Sequence, residues 1–126
     1  MIHEQHFYVC ETCGNIVGMI HDAGVPLVCC GKKMTPMRPA KDASWEKHAP
    51  VARREGDFVT VEVGALPHPV EEEHGIRWVY LQTDRGGQRK NLSPGDTPIV
   101  RFALCGEIPV RVYACCSQHG LWQAEL

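Results

Sequence analysis

The sequence has no excess of basic charge: 13 Lys and Arg stand against 15 Asp and Glu, for a formal net charge of −2. A chain so balanced has no electrostatic hold on a polyphosphate, so nucleic acid is not an expected partner. No apolar run approaches the roughly 20 residues that a membrane-spanning helix needs, so no membrane partner is expected either. The opening Met1-Ile2-His3-Glu4-Gln5-His6 lacks the basic start and apolar stretch of an export signal, and a cytoplasmic location follows as the expectation. Nowhere does a convincing amphipathic-helix period emerge. An even cysteine count is also missing: the 7 cysteines cannot all pair within the chain. In a reducing compartment they read as metal ligands rather than disulfides. With 44% apolar and 22% charged residues over 126 positions, the chain is long enough for one ordinary domain, or for a small module followed by a compact one.

The first cysteines form a knuckle, Cys10-Glu11-Thr12-Cys13-Gly14, in which a tight turn aims two sulfurs at one ion. Cys29-Cys30-Gly31 supplies the matching pair, so the pattern is C-x2-C-x15-C-C. So short a segment buries too little surface to fold alone, and a metal must hold it. Thiolate ligation by itself fits iron or zinc. Adjacent ligands at Cys29 and Cys30 require a bent backbone and a distorted tetrahedron. His3, His6 and His21 have no partner at ligand spacing and are expected in solvent. Two prolines in Thr35-Pro36-Met37-Arg38-Pro39-Ala40-Lys41 mark a linker. The expected domains are therefore 1–36 and 37–126, with 37–41 as the linker.

The second module reads as short strands broken by turns. Phe58 to Val63 alternates apolar and polar residues, and Ile76 to Thr83 is rich in aromatic and β-branched ones. Pro98 to Leu104 and Pro109 to Cys115 follow, with breaks at Arg85-Gly86-Gly87 and Ser93-Pro94-Gly95-Asp96. Such spacing predicts an antiparallel β-sandwich, a rigid frame with its functional loops at the ends. Glu71-Glu72-Glu73 reads as solvated loop and Cys105 as a small buried hydrophobe. Trp45 and Trp122 are either core or a shield for a metal's thiolate side.

The chemistry concentrates in Cys116-Ser117-Gln118-His119-Gly120. A thiolate and an imidazole three positions apart can reach one metal. Upstream stand Glu46-Lys47-His48-Ala49-Pro50, His68-Pro69 and His74-Gly75-Ile76. Four imidazoles and one sulfur are one ligand too many for a closed tetrahedral zinc site. They suit five-coordinate iron with one open position.

Jointly and in this order, these motifs resemble the desulfoferrodoxin family, the two-iron superoxide reductases, over nearly the whole chain. The resemblance implies a mainly β fold: a desulforedoxin-like metal module, then an immunoglobulin-like antiparallel sandwich. It implies that Cys10, Cys13, Cys29 and Cys30 bind a rubredoxin-like Fe(Cys)4 iron. It also implies that His48, His68, His74 and His119 surround a second iron with Cys116 axial, a Fe(His)4(Cys) centre. The implied reaction is one-electron reduction of superoxide to hydrogen peroxide without release of dioxygen. Lys47 would draw in the anion and help deliver a proton, and Glu46 would take the open position after product leaves. A rubredoxin-like donor would restore the ferrous state, and the assembly would be a homodimer. Ser117 stands where the family commonly has Asn, and Cys115 adds a second sulfur beside Cys116. The competing reading, from the first module alone, is an iron electron carrier or a zinc-stabilised binding module.

Overall fold

The computed structural model describes residues 4–39, 50–63, 75–93, 95–116 and 120–126. The chain divides into two compact units, Met1–Arg38 and Pro39–Leu126. Among the described residues every regular element is a β-strand, and every pairing is antiparallel.

The first unit is built from very short strands. β1 (Phe7–Val9) lies between β2 (Ile16–Gly18) and β5 (Thr35–Pro36), while β3 (Val28–Cys29) and β4 (Lys32–Lys33) form a separate hairpin. Among the described residues its buried apolar side chains are Phe7 and Cys10. That is far too little apolar burial to offset the entropy of ordering more than thirty residues. Two turns carry the architecture. At the knuckle, the Gly14 N–H bonds the Cys10 carbonyl at 2.8 Å and the Cys10 N–H bonds the Asn15 carbonyl at 2.8 Å. In the β3–β4 hairpin the two turn residues, Cys30 and Gly31, take φ of 54° and 74°. Positive φ at both positions is the type I′ geometry that matches strand twist, and it normally selects Asn-Gly or Gly-Gly. A cysteine there is strained by about 1 kcal/mol, and the gain is the placement of its sulfur. The bent backbone expected at the vicinal pair takes this form.

Among the described residues the second unit is a sandwich of seven strands. One sheet runs β10-β7-β6, with β6 at Pro50–Glu55, β7 at Phe58–Val63 and β10 at Ile99–Ala103. The other runs β12-β11-β8-β9, with β8 at Ile76–Thr83, β9 at Gly86–Asn91, β11 at Pro109–Cys116 and β12 at Gly120–Glu125. Three strands facing four is the strand count of immunoglobulin-like sandwiches. Val59, Val61 and Val63 of β7 and Val100 and Phe102 of β10 supply one inner face, and Val79, Leu81, Val112 and Ala114 the other. The period-2 alternation of these side chains is what makes both sheets half-apolar. Trp122 is fully buried on β12.

The two ends of the sandwich differ. At one end the short turns are tied together by side chains. Asp57 Oδ1 accepts the Gly106 N–H at 3.2 Å, Asp84 Oδ1 accepts the Ile108 N–H at 2.9 Å, and the Thr83 hydroxyl donates to Glu107 Oε1 at 2.5 Å. At the other end lie Pro50, Val63, Ile76, Cys116 and Gly120, the strand termini that border 40–49, 64–74 and 117–119.

Four of the seven sandwich strands match the expected segments within a residue. Three were not expected: β6, β9 and β12, each at the edge of its sheet. Gly86 and Gly87, read as part of a break, open β9, and the turn is Asp84-Arg85. Cys105 is corrected as well. It is exposed rather than buried, because it takes φ of 50° in the turn between β10 and β11, ahead of Gly106.

Candidate metal centres

In the first unit the Sγ atoms of Cys10, Cys13, Cys29 and Cys30 all lie within 4.8 Å of one another. An ion at about 2.3 Å from each of four tetrahedral sulfurs puts those sulfurs roughly 3.8 Å apart. The Cys13–Cys29 pair sits at 3.6 Å, which matches that spacing and is far outside a disulfide's bonding distance. No disulfide joins the four cysteines of this module. The donor set therefore fits one thiophilic ion.

The four sulfurs are not equivalent. Cys10 is buried, and its sulfur accepts the Cys13 N–H at 3.5 Å. Backbone N–H donation from Cys13, helped by Thr12, brings the Cys10 thiol down to about 6. Cys30 is exposed, and side-chain hydrogen bonding with Cys13, then with Cys10 and Cys29, pushes it up to about 12. Four packed sulfurs without a cation cannot all ionise, and a metal removes that conflict. The Asn15 side-chain amide donates to Cys29 Sγ at 3.7 Å. Asn15 is not among the residues that ligand spacing points to; its only signal is its place directly after the knuckle glycine.

The described histidines of this unit, His6 and His21, do not join the sulfurs. His6, expected in solvent, is exposed yet hydrogen-bonded through Nδ1 to Asp22 Oδ2 at 2.9 Å. Tyr8 donates to the same oxygen at 2.6 Å and the Gly24 N–H donates to Asp22 Oδ1 at 2.8 Å. The Tyr8 bond, then those from Gly24 and His6, bring the Asp22 carboxyl down to about 2. This network fixes a loop. His21 is exposed, and His3 lies outside the described residues.

In the second unit, Cys116 is the last residue of β11 and is 2% exposed. Its cross-strand partners are Gly120 on β12 and Ile76 on β8. Between Cys115 and Cys116 the pairing with β8 skips Arg77, from Trp78 to Ile76. The extra residue is a β-bulge, and it lets Ile76 turn inward beside Cys116 although Trp78 does not. Cys116 shares the inner face with Val112 and Ala114. Cys115 therefore points the other way, paired with Trp78 and Leu121. It is 4% exposed, and burial pushes its thiol up to about 12. The two neighbouring sulfurs are thus sorted by strand alternation, with one inward and one held as a neutral thiol.

Glu46, Lys47, His48, His68, His74 and His119 lie outside the described residues, as do Trp45, Glu71, Glu72, Glu73 and Ser117. The frame to which they connect is described. His74 precedes Ile76 by two residues, His119 directly precedes Gly120, and His48 precedes Pro50 by two. Ile76 and Gly120 flank Cys116 on either side in one sheet, and Pro50 starts β6, a strand packed against β11 and β12.

Comparison with known proteins gives the family. The desulfoferrodoxin N-terminal domain profile matches residues 3–37, and the desulfoferrodoxin profile matches 40–125. The chain belongs to the desulfoferrodoxin family. A desulfoferrodoxin of Syntrophotalea carbinolica is 43% identical, with 99% of each chain covered. A protein of Pyrococcus horikoshii named superoxide reductase is 35% identical, covering 68% of this chain and 90% of its own. The crystal structure of the superoxide reductase from Treponema pallidum superposes with a TM-score of 0.82 at 31% identity, covering 97% of this chain and 98% of that one. Desulfoferrodoxin relatives thus match across both units, whereas the Pyrococcus protein matches about two thirds of the chain.

Proposed function

We propose that the chain is a superoxide reductase, reducing superoxide by one electron to hydrogen peroxide without releasing dioxygen. The observation that carries this reading is Cys116: a buried sulfur at the end of a core strand, with Ile76 and Gly120 as its cross-strand neighbours. Those neighbours tie the segments bearing His74 and His119 to the same strand ends. A soft thiolate and imidazoles form a donor set that suits iron. The ligands are Cys116, His48, His68, His74 and His119. Iron bound there supplies reversible one-electron chemistry.

The protein's own residues do the rest. Burial of Cys116 keeps water from the sulfur and preserves its electron donation to a bound metal. Lys47, next to His48, supplies positive charge that attracts the superoxide anion and a proton that can reach the nascent peroxide through water. Glu46, the adjacent carboxylate, would offer an oxygen donor to the metal between turnovers. The first unit holds a second iron through Cys10, Cys13, Cys29 and Cys30. The boundary between two separately metal-bound domains falls at the proline-bearing segment 37–41. A rubredoxin-like protein serves as electron donor, and the protein works in the cytoplasm as a homodimer.

The test is a visible spectrum of the iron-loaded protein followed by pulse radiolysis. Two ferric chromophores are expected, with the reduced protein consuming superoxide and yielding peroxide but no dioxygen. Lys47→Ala should slow superoxide capture by a factor on the order of ten and flatten its dependence on ionic strength. A colourless protein with stoichiometric zinc, inert to superoxide, would overturn the reading and restore the binding-module alternative.

A further inference from the structure

We infer that Asn15 is a positioning and tuning residue for the four-cysteine metal, acting through a hydrogen bond from its side-chain amide to the Cys29 sulfur; this rests on the reading that the site holds iron.

The knuckle mounts Asn15 where it can do this. Gly14, at φ of 81°, turns the chain, and the Cys10 N–H then bonds the Asn15 carbonyl at 2.8 Å. The residue that follows, Ile16, pairs with Val9, so the backbone on both sides of the Asn15 side chain is fixed. From that base Nδ2 lies 3.7 Å from Cys29 Sγ. Cys10 and Cys13 come from the knuckle and Cys29 and Cys30 from the β3–β4 hairpin. The Asn15 amide thus spans the two halves of the ligand set, reaching from the turn that carries one pair to a sulfur of the other.

The chemical consequence follows from charge. Four thiolates leave a ferric centre with one net negative charge and a ferrous centre with two. An N–H donor aimed at a ligand sulfur stabilises the more negative, reduced form more strongly, and so raises the reduction potential. It also holds the sulfur's orientation toward the metal. The Cys13 N–H does this for Cys10 from the backbone. The corresponding bond to Cys29 comes from a side chain, so mutation can remove it without touching a ligand or a turn.

The experiment is a spectroelectrochemical titration of the full, iron-loaded chain and its Asn15 variants, following the first iron's thiolate-to-iron bands. Asn15→Ala should move that midpoint to more negative potential and shift the bands. Asn15→Asp should move it further in the same direction, since a carboxylate cannot donate and adds negative charge. Asn15→Gln should return the midpoint toward the parent value, and the Cys116-dependent band of the second iron should be unchanged throughout. An Asn15→Ala protein with full iron content, the parent midpoint and the parent bands overturns the inference. If the variants fail to retain iron, the unmutated chain loaded with NMR-active cadmium decides the matter. Scalar coupling between the Asn15 side-chain amide protons and the metal, transmitted through Cys29, supports the bond; its absence in the fully loaded protein overturns it. Absence of any four-thiolate iron bands from the iron-loaded parent is a separate result, and it overturns the iron reading together with the inference built on it.

Discussion

Cys115 and Cys116 are adjacent, chemically identical and both buried, yet only one can serve the second metal. Cys116 faces inward with Val112 and Ala114, while Cys115 faces outward between Trp78 and Leu121. Cys115→Ser should therefore leave the Cys116-to-iron charge-transfer band intact and act on stability alone. At 4% exposure, the new hydroxyl enters a site built for a weakly polar thiol. Leaving such a group without a good partner costs about 1–3 kcal/mol. At about 4 °C per kcal/mol for a chain of this size, the thermal midpoint should fall by roughly 4–12 °C. Cys115→Ala removes the sulfur without adding a polar group, and about 1 kcal/mol is the expected loss. Cys116→Ser should abolish the band, because a hydroxyl is a harder and poorer donor than a thiolate. Iron content, visible spectrum and denaturation midpoint should be measured on all three proteins, so that loss of colour is not confused with loss of metal. If Cys115→Ser loses the band with iron retained, and Cys116→Ser keeps it, the facing derived from strand alternation is refuted.

Cys13→Ser should alter the first metal's absorption and leave the reaction of pre-reduced protein with superoxide at the parent rate; a fall in that rate with the second iron still bound would overturn the independence of the two centres. Gly87→Ala should cost about 2 kcal/mol of stability, read as a lower denaturant midpoint, because the new Cβ would overlap the Tyr80 ring and hydroxyl; an unchanged midpoint would show that the ring moves aside freely. In the folded, metal-loaded chain at pH 8, iodoacetamide should modify exposed Cys105 and spare Cys115, as read by peptide mass mapping. The sign of the Cys115 effect on stability follows from its shift: below about pH 9 the thiol is neutral in folded and unfolded chains alike, and as pH rises from 9 toward 12 only the unfolded chain ionises, so stability falls. A midpoint that rises over that range in the parent relative to Cys115→Ala would contradict this.

The parts legible in the sequence were those where one physical demand dominates. β7 must bury alternate residues, so Phe58–Val63 shows a clean period of two. β8 and β11 lie in the interior of the four-stranded sheet, and their aromatic and β-branched runs announce it. Edge strands face weaker demands. β9 reads Gly-Gly-Gln-Arg-Lys-Asn and is almost wholly exposed, and β6 carries Arg53, Arg54 and Glu55 at its end. Charged edges guard against unwanted strand pairing, and the same charges erase the alternation from which a strand is read. Cys105 was misread because a small apolar side chain after Leu104 looks like core, whereas the turn at this point needs a left-handed backbone. The cysteine spacing pointed to the first metal site because thiolate pairs have few other uses in such a short segment. Asn15 was invisible because hydrogen bonds to sulfur leave no spacing rule. The outward turn of Cys115 depends on register, and the bulge at Arg77 that brings Ile76 inward has no clear signature in sequence.

The two unlike ends of the sandwich also make the molecule easy to address from outside. Cys105 lies exposed at the end where the turns are knitted by Asp57, Asp84 and Glu107. Cys116 lies at the far end of β11, a strand of eight residues that spans roughly 24 Å. A maleimide-coated electrode or bead would capture metal-loaded molecules through Cys105 and orient that end of the sandwich toward the support. The Cys116 end would then face the solution. The same polarity offers protein engineers a place for a fusion partner or affinity handle, set a full strand's length from the Cys116 sulfur.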